Sequence, residues 1–254
     1  MTAITDRLTA EGVLWLTLNR PDRLNSINDD MSRMLTAHIR RAADDQLVRC
    51  VVLTGAGRAF CAGGDVSTMG LRDGATAVGR LRDRARLVGA LSALPKPLVA
   101  AVNGPAVGGG FALALTADVI IADPSAYFQL AFVNLGLSPD MGTTFHLPRQ
   151  IGTRRALNMA LTDQRIHAVE ARKLGLVAQV SPPGDIFAVT DDLTTRLAGL
   201  SPHALAATKQ MLRGSLDRDL DTALEIEALA YGVAVGTEHH HAAVEQFRKA
   251  HYRG

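Results

Sequence analysis

Two short apolar runs constrain this chain more than any other feature. Val51-Val52-Leu53 and Leu98-Val99-Ala100-Ala101-Val102 have no polar residue on either face, and strands of that kind sit in parallel sheets covered on both sides. Parallel neighbours need long crossovers, usually helices. Helical signals stand where the crossovers are required. Asn28 or Asp29 can cap a helix in which Met31, Met34, Leu35, His38 and Ile39 recur at helical spacing, and a second helix is expected over about 76–94, before Pro95-Lys96-Pro97.

Further strands are expected at Val13–Leu18, closed by Asn19-Arg20-Pro21-Asp22, at Val119–Ala122, and at Tyr127–Leu130. Strand and helix alternate, which argues an α/β architecture. From Ser201 onward the periodicity is helical only, through Leu205, Lys209 and Leu212, then Leu220, Leu224 and Leu229, then Ala243 to Ala250. The 254 residues thus divide into an α/β core over 1–198 and a helical region over 199–254. Such a tail packs on the core or on a neighbouring subunit.

Charge narrows the partners. Lys and Arg number 27 against 25 Asp and Glu, a formal net charge of +2, and they are dispersed rather than interleaved with aromatics. That balance argues against nucleic acid or an anionic membrane as the main partner. The two cysteines, Cys50 and Cys61, lie in a strand and a glycine turn without metal-ligand spacing, which suits reduced thiols in a cytoplasmic protein rather than a disulfide framework or a metal site. No run of the sequence is long and apolar enough to span a bilayer.

Each of the two apolar strands runs into a glycine-rich turn: Phe60-Cys61-Ala62-Gly63-Gly64-Asp65, and Asn103-Gly104-Pro105-Ala106-Val107-Gly108-Gly109-Gly110. What such turns offer is bare backbone N–H. The second leads into an apolar helix from Phe111, whose N-terminus favours negative charge. Two such donors aimed at one point would stabilise a developing oxyanion. A nucleotide fold is the rival reading, since Thr54-Gly55-Ala56-Gly57 follows a strand. The spacing fails it, because Phe60 occupies the place of the third glycine and no Gly-Lys-Ser/Thr follows.

The two turns together resemble those of the enoyl-CoA hydratase/isomerase, or crotonase, superfamily. The resemblance spans almost the whole chain and rests on Asn19-Arg20-Pro21 with Leu24-Asn25, on Ala59 to Asp65, on Lys96-Pro97 leading into Asn103 to Gly110, and on Ala117-Asp118, Leu135-Gly136-Leu137 and Gly175-Leu176-Val177. It implies a spiral of ββα units, a helical C-terminal trimerisation region, and a homotrimer or dimer of trimers. It also implies an acyl-CoA thioester substrate, with coenzyme A as part of that substrate and no separate cofactor or metal. By position, Gly64 and Gly109 would hold the enolate oxygen. Ala62, Gly63, Gly64, Asp65 and Val66 would cradle the adenine with backbone groups, and Arg23, beside the family's basic position (here Asp22), would meet the phosphates. The acyl pocket would draw on the segment from Ser67 to Leu91, including Met69, and on Ala112, Phe132, Leu137 and the tail helices. Asp65 and Asp118 match positions that are mostly structural in the family.

The acid/base groups depart from the hydratase pattern. Family hydratases carry one glutamate just after the glycine run and a second twenty residues later; here those positions hold Ala112 and Phe132, and no glutamate occurs between Glu11 and Glu170. Asp140 remains. In Leu135-Gly136-Leu137-Ser138-Pro139-Asp140 it can be read as a helix N-cap. It can equally be read as a base, because members with Ala-Phe before Leu-Gly-Leu-x-Pro-Asp, notably the isomerases of phenylacetate degradation, use an aspartate there. Phe132, Leu137, Met141 and Phe145 would surround it and raise its pKa. The resemblance therefore implies an enoyl-CoA isomerase. The alternatives are an atypical hydratase, an enzyme with Asp140 as nucleophile in dehalogenation or hydrolysis, and a non-catalytic CoA-binding protein. His146, one turn beyond Asp140, reads as a solvated or hydrogen-bonded histidine. Arg72, Arg80, Arg82, Arg84 and Arg86 are expected to form a solvated helix face. His239, His240 and His241 point too far apart on a helix to ligate one ion.

Overall fold

The first strand is one the residue pattern conceals. Ile4–Leu8 (β1) buries only Ile4 and pairs antiparallel with Val13–Leu18 (β2). In the computed structural model, which describes residues 2–65, 67 and 73–251, the chain then runs through helix Asp29–Asp44 (α1), strand Cys50–Gly55 (β3), helix Gly74–Ala93 (α2), strand Leu98–Val102 (β4), the two-residue strand Ala106–Val107 (β5) and helix Gly109–Leu115 (α3). Strands Val119–Ala122 (β6) and Tyr127–Gln129 (β7) follow, then helices Thr143–Ile151 (α4) and Thr153–Thr162 (α5), strand Ile166–His167 (β8), helix Ala168–Lys173 (α6), strand Gln179–Val180 (β9) and helix Ile186–Ala198 (α7). Three helices close the described chain: Pro202–Arg213 (α8), Leu220–Val235 (α9) and Glu238–His251 (α10).

The main sheet has the order β1-β2-β3-β4-β6-β9, and only its first pair is antiparallel. Its central strands are apolar throughout because both faces are covered. Leu14, Leu16, Val51, Leu53, Ala100 and Val102 face the larger core with Leu35 and Ile39 of α1 and Leu87 and Leu91 of α2. Val13, Trp15, Cys50, Val52, Val99 and Ala101 face a smaller core closed by Ile186 and Ala198 of α7. Alternate residues of one strand thus serve two cores. A small second sheet, β5-β7-β8, carries the glycine run at one edge.

Local capping follows the residues. Asn28 accepts from the Met31 N–H at the start of α1, and Asp73 accepts from Thr76 at the start of α2, so that helix begins at Gly74. The tail is pinned by Asp118: its carboxylate accepts from the Leu98 N–H at 2.8 Å and pairs with Lys209 and Arg213 of α8, each at 2.7 Å. Asp118 is thus engaged in holding structure, as expected. No helix among the described residues is long and apolar enough to cross a membrane.

Candidate active site

The segment 19–27 is a clamp on the first glycine turn. Asn25 is fully buried and donates to the carbonyls of Ala56 and Ala59, each at 2.8 Å, while its amide oxygen accepts from the Arg20 N–H at 2.9 Å. The Arg20 guanidinium donates to Ser26 O at 2.7 Å and meets the Asp65 carboxylate at 2.8 Å. Asp65 also accepts from the hydroxyl and N–H of Ser67; the Ser67 hydroxyl, together with Arg20, holds its carboxyl below the usual range. Asn103 ties the other end, accepting from Gly55 N and donating to the carbonyls of Gly55 and Gly57. The Asn-Arg-Pro and Leu-Asn pattern is therefore a physical device that fixes where residues 59–65 lie.

The two glycine turns meet through Cys61, which bonds Pro105 O and Val107 N. The approach is close. A Cβ on Gly110 would lie 2.1 Å from Cys61 O, and one on Gly63, whose φ is +93°, 2.8 Å from Val107 O. The same Gly63 position lies 3.4 Å from the Gly109 nitrogen, and a Cβ on Gly109 would lie 3.8 Å from the Gly64 nitrogen. Neither the Gly64 nor the Gly109 N–H has an acceptor among the described residues. Gly109 opens α3, where helix geometry leaves its donor free. By contrast the N–H groups of Ala62 and Asp65 are committed to Leu24 O and Ile27 O. The fold therefore leaves two unpaired donors side by side.

Met141, buried, lies over them: its sulfur would be 3.1 Å from a Cβ on Gly109. Its own φ of 51° is a left-handed conformation that costs a residue with a side chain, and Asp140 directly precedes it in the chain. Helix α4 starts only at Thr143 and has no side-chain cap. Asp140 contributes its backbone carbonyl to Thr143, so the N-cap reading of its side chain does not hold. One carboxylate oxygen, Oδ1, is buried with no hydrogen-bond partner. Burial pushes the Asp140 carboxyl up from its ordinary value, and the Arg84 charge opposes that shift.

Arg84 corrects an expectation. The arginines of α2 were expected on a solvated face, but Arg84 is only 6 % exposed, its Nη2 donating to Ile27 O at 3.2 Å and its Nε buried without a partner. Arg80 is also drawn inward, its guanidinium pairing with Asp29 at 2.8 Å. The misreading has a simple cause: Arg84, Leu87 and Leu91 share the buried face of α2, and a charged residue at a core position is counted as surface by pattern. Arg72 lies outside the described residues, as do Val66 and Met69 of the expected CoA and acyl sites.

Other expected residues fall less neatly. Phe132 is buried, with its ring tip 3.9 Å from a Cβ on Gly108. Ala112 is wholly buried inside α3. Leu137 and Phe145 are about half exposed, at 48 % and 47 %, whereas Phe132 and Met141 are buried. Arg23 is exposed on the 3-10 turn Pro21–Arg23, directly before Leu24, whose carbonyl holds Ala62. His146 is half-buried against Gly142, and burial followed by the charges of Arg213 and Arg149 lowers its pKa, keeping it neutral. Both thiols are buried and pushed up to about 12, so neither is a nucleophile near neutral pH. Among the described residues no three metal-ligating side chains cluster, the histidines of α10 included.

Asp163 is a residue the pattern missed. It accepts from Ala131 N at 2.6 Å, from Gln129 and from Asn134, fixing the positive-φ Ala131 that precedes Phe132. No short motif announces a carboxylate that acts thirty residues away.

The chain is similar to known proteins over most of its length. The sequence pattern of the enoyl-CoA hydratase/isomerase family matches residues 9–253. The 1,2-epoxyphenylacetyl-CoA isomerase of Escherichia coli K12 is 40 % identical over 221 residues, 85 % of this chain and 84 % of that protein. The 2,3-dehydroadipyl-CoA hydratase of the same organism is 37 % identical over 235 residues, 92 % of this chain and 91 % of that protein. The crystal structure of an enoyl-CoA hydratase from Bacillus anthracis superimposes with a TM-score of 0.94 at 30 % identity, covering 98 % of this chain and 96 % of that one.

Proposed function

The chain belongs to the enoyl-CoA hydratase/isomerase family, and from that premise we propose that it is an isomerase of acyl-CoA thioesters, moving a Δ3 double bond, open-chain or ring-borne, into Δ2 conjugation. The observation that carries this reading is the state of Asp140: a carboxylate next in the chain to the Met141 that packs on Gly109, capping no helix and with one buried oxygen unpartnered. Asp140 takes a proton from C2 of the 3-enoyl thioester. The electron pair delocalises onto the thioester oxygen, which accepts hydrogen bonds from the Gly64 and Gly109 N–H groups. The same carboxyl then returns the proton at C4, and the carboxylate is regenerated. Burial raises the carboxyl pKa, which makes it a stronger base for a carbon acid.

One carboxylate suffices for a 1,3-proton shift. Water addition as the family's hydratases carry it out calls on two glutamates, and Ala112 and Phe132 stand in their places. The test is Asp140→Asn with a 3-enoyl-CoA followed at the conjugated thioester absorbance: a loss of about 10²–10⁴-fold is expected, and retained isomerisation would sink the assignment. Crotonyl-CoA hydration at an ordinary enzymatic rate would favour the hydratase reading, which the names of several relatives support. We place the CoA adenine against Ala62 to Asp65, where no described residue donates to the Ala62 carbonyl, and its phosphates near Arg23. The homotrimer that the family resemblance implies is proposed through the tail.

A further inference from the structure

Arg84 is a buried cation whose hydrogen-bonding capacity is mostly unspent. A guanidinium has five N–H donors in a rigid plane. Here a single bond, from Nη2 to Ile27 O, accounts for its contacts, and Nε is buried with no partner at all. Burial, and after it the like charge of Arg80, oppose its charge, against the pull of Asp140 and Asp29. The nearest opposite charge does not satisfy it: Asp140 and Arg84 act on each other electrostatically, yet no ion pair or hydrogen bond joins them, and Asp140 keeps its own orphaned oxygen. Arg80, one turn away, is held by Asp29.

The position of Arg84 is as informative as its state. Its one anchor, Ile27, runs beside Gly64 in a parallel bridge and places its side-chain tip 3.3 Å from a Cβ on Gly109. Met141, the residue after Asp140, packs its sulfur on the same Gly109, and the Asp140 charge acts on Arg84. Arg84 is therefore joined through Ile27 to the backbone that carries the two unpaired donors, and electrostatically to Asp140.

We infer that Arg84 is a substrate-recognition residue, donating to an uncharged oxygen acceptor, a hydroxyl, carbonyl or ether, carried on the acyl group beyond C4. The inference rests on the isomerase reading for the placing of C2 and C4 at Asp140. An all-hydrocarbon acyl chain would leave the guanidinium as it is, desolvated and unpaired. An oxygen at C5 or C6 would satisfy it. A neutral acceptor fits better than a carboxylate, because Asp140 already faces the site with negative charge and a second anion would meet its repulsion. Sites built to bond a substrate oxygen discriminate strongly against analogues lacking it, since the site's own polar group is then left unpaired.

The experiment compares 3-hexenoyl-CoA with its 5-hydroxy and 6-hydroxy derivatives and with the 6-carboxylate, in the wild-type protein and in Arg84→Met and Arg84→Lys. The expected result is a kcat/KM advantage of about 10–100-fold for one hydroxylated substrate, the size of a hydrogen bond to a charged group. In Arg84→Met that advantage falls to near one. The ratio is the readout, not the absolute rate: a purely structural role lowers both substrates together and preserves the ratio, which would overturn the inference. Equal wild-type rates on plain and hydroxylated substrates would also overturn it, and a preference for the carboxylate would overturn the neutral-acceptor assignment. Calorimetry with unreactive hexanoyl-CoA and its 5- and 6-hydroxy derivatives on the wild-type protein needs neither a stable variant nor turnover. Tighter binding of a hydroxylated thioester with no isomerisation of any 3-enoyl substrate would end the isomerase reading while upholding Arg84; equal binding of all three would end the Arg84 assignment alone.

Discussion

As the proposed base, Asp140 would have to be charged where charge is costly, and that conflict yields opposite predictions for activity and stability. A base works when deprotonated, so the acid limb of kcat/KM should lie above the ordinary carboxylate range, because burial raises this carboxyl. For stability the sign reverses. The folded state binds the proton more tightly than the unfolded chain does, so stability falls as pH rises through the window between the unfolded and the raised folded pKa, and the deficit persists at neutral pH. Asp140→Asn is therefore expected to raise Tm at pH 7, by about 2–4 °C for each kcal/mol recovered, while abolishing most turnover. Below the ordinary carboxylate pKa the two proteins should melt alike; differential scanning calorimetry across pH checks this. Asp65 behaves in the opposite way. Its carboxyl is held down by Ser67 and Arg20, so its contribution is present above the unfolded pKa and lost as pH falls through the folded one. Asp65→Asn should lower Tm at pH 7, and the difference from wild type should close in acid.

At the level of elements, the site depends on how near two turns can come. Gly110 packs against the Cys61 carbonyl so closely that a methyl group has no room, and the obstacle is backbone on both sides. Gly110→Ala should force the turns apart and move both proposed oxyanion donors, with a loss of about 10²–10³-fold in kcat for each donor displaced; if the variant is insoluble, Gly63→Ala, strained at its positive φ and set against Val107 O, probes the approach of the same two turns. The clamp residues were legible because Asn25 and Asn103 belong to a recognisable pattern. Arg84 was not, since periodicity sorts residues by polarity and cannot tell a buried arginine from a solvated one. The left-handed Met141 was equally invisible: nothing in Pro-Asp-Met-Gly requires φ of 51°, and with α4 starting at Thr143 the Asp140 side chain caps no helix. Helix α8 offers a further test. Lys209 is nearly buried, and burial lowers its pKa while Asp118 opposes that. Asp118→Asn leaves Lys209 and Arg213 without their counter-charge, and a cost of up to about 3 kcal/mol is expected, the low end for a buried pair because Asp118 remains partly exposed. Faster amide exchange confined to α8 and the strand start at Leu98 would show that the loss is local.

For the molecule as a whole, the strands apolar on both faces fixed the parallel sheet in advance, because only a doubly covered sheet accommodates them. What stayed hidden were β1, which buries one residue of five, and the two-residue strands β5, β8 and β9, whose pairing is decided by the tertiary approach rather than by any local signal. The tail was legible as helix, but a single chain leaves much of its apolar surface uncovered. Helix α9 buries no residue, and Leu220, Tyr231 and Val233 are exposed at 71 %, 71 % and 65 %. So much apolar surface on one helix is characteristic of a subunit contact. Light scattering should accordingly give a mass of three or six chains. Replacing Leu224 and Tyr231 together by Asp should shift it toward one chain, with a lower Tm that no longer depends on protein concentration. A wild-type protein that stays monomeric at high concentration would refute the trimer and leave α9 to pack on some other surface.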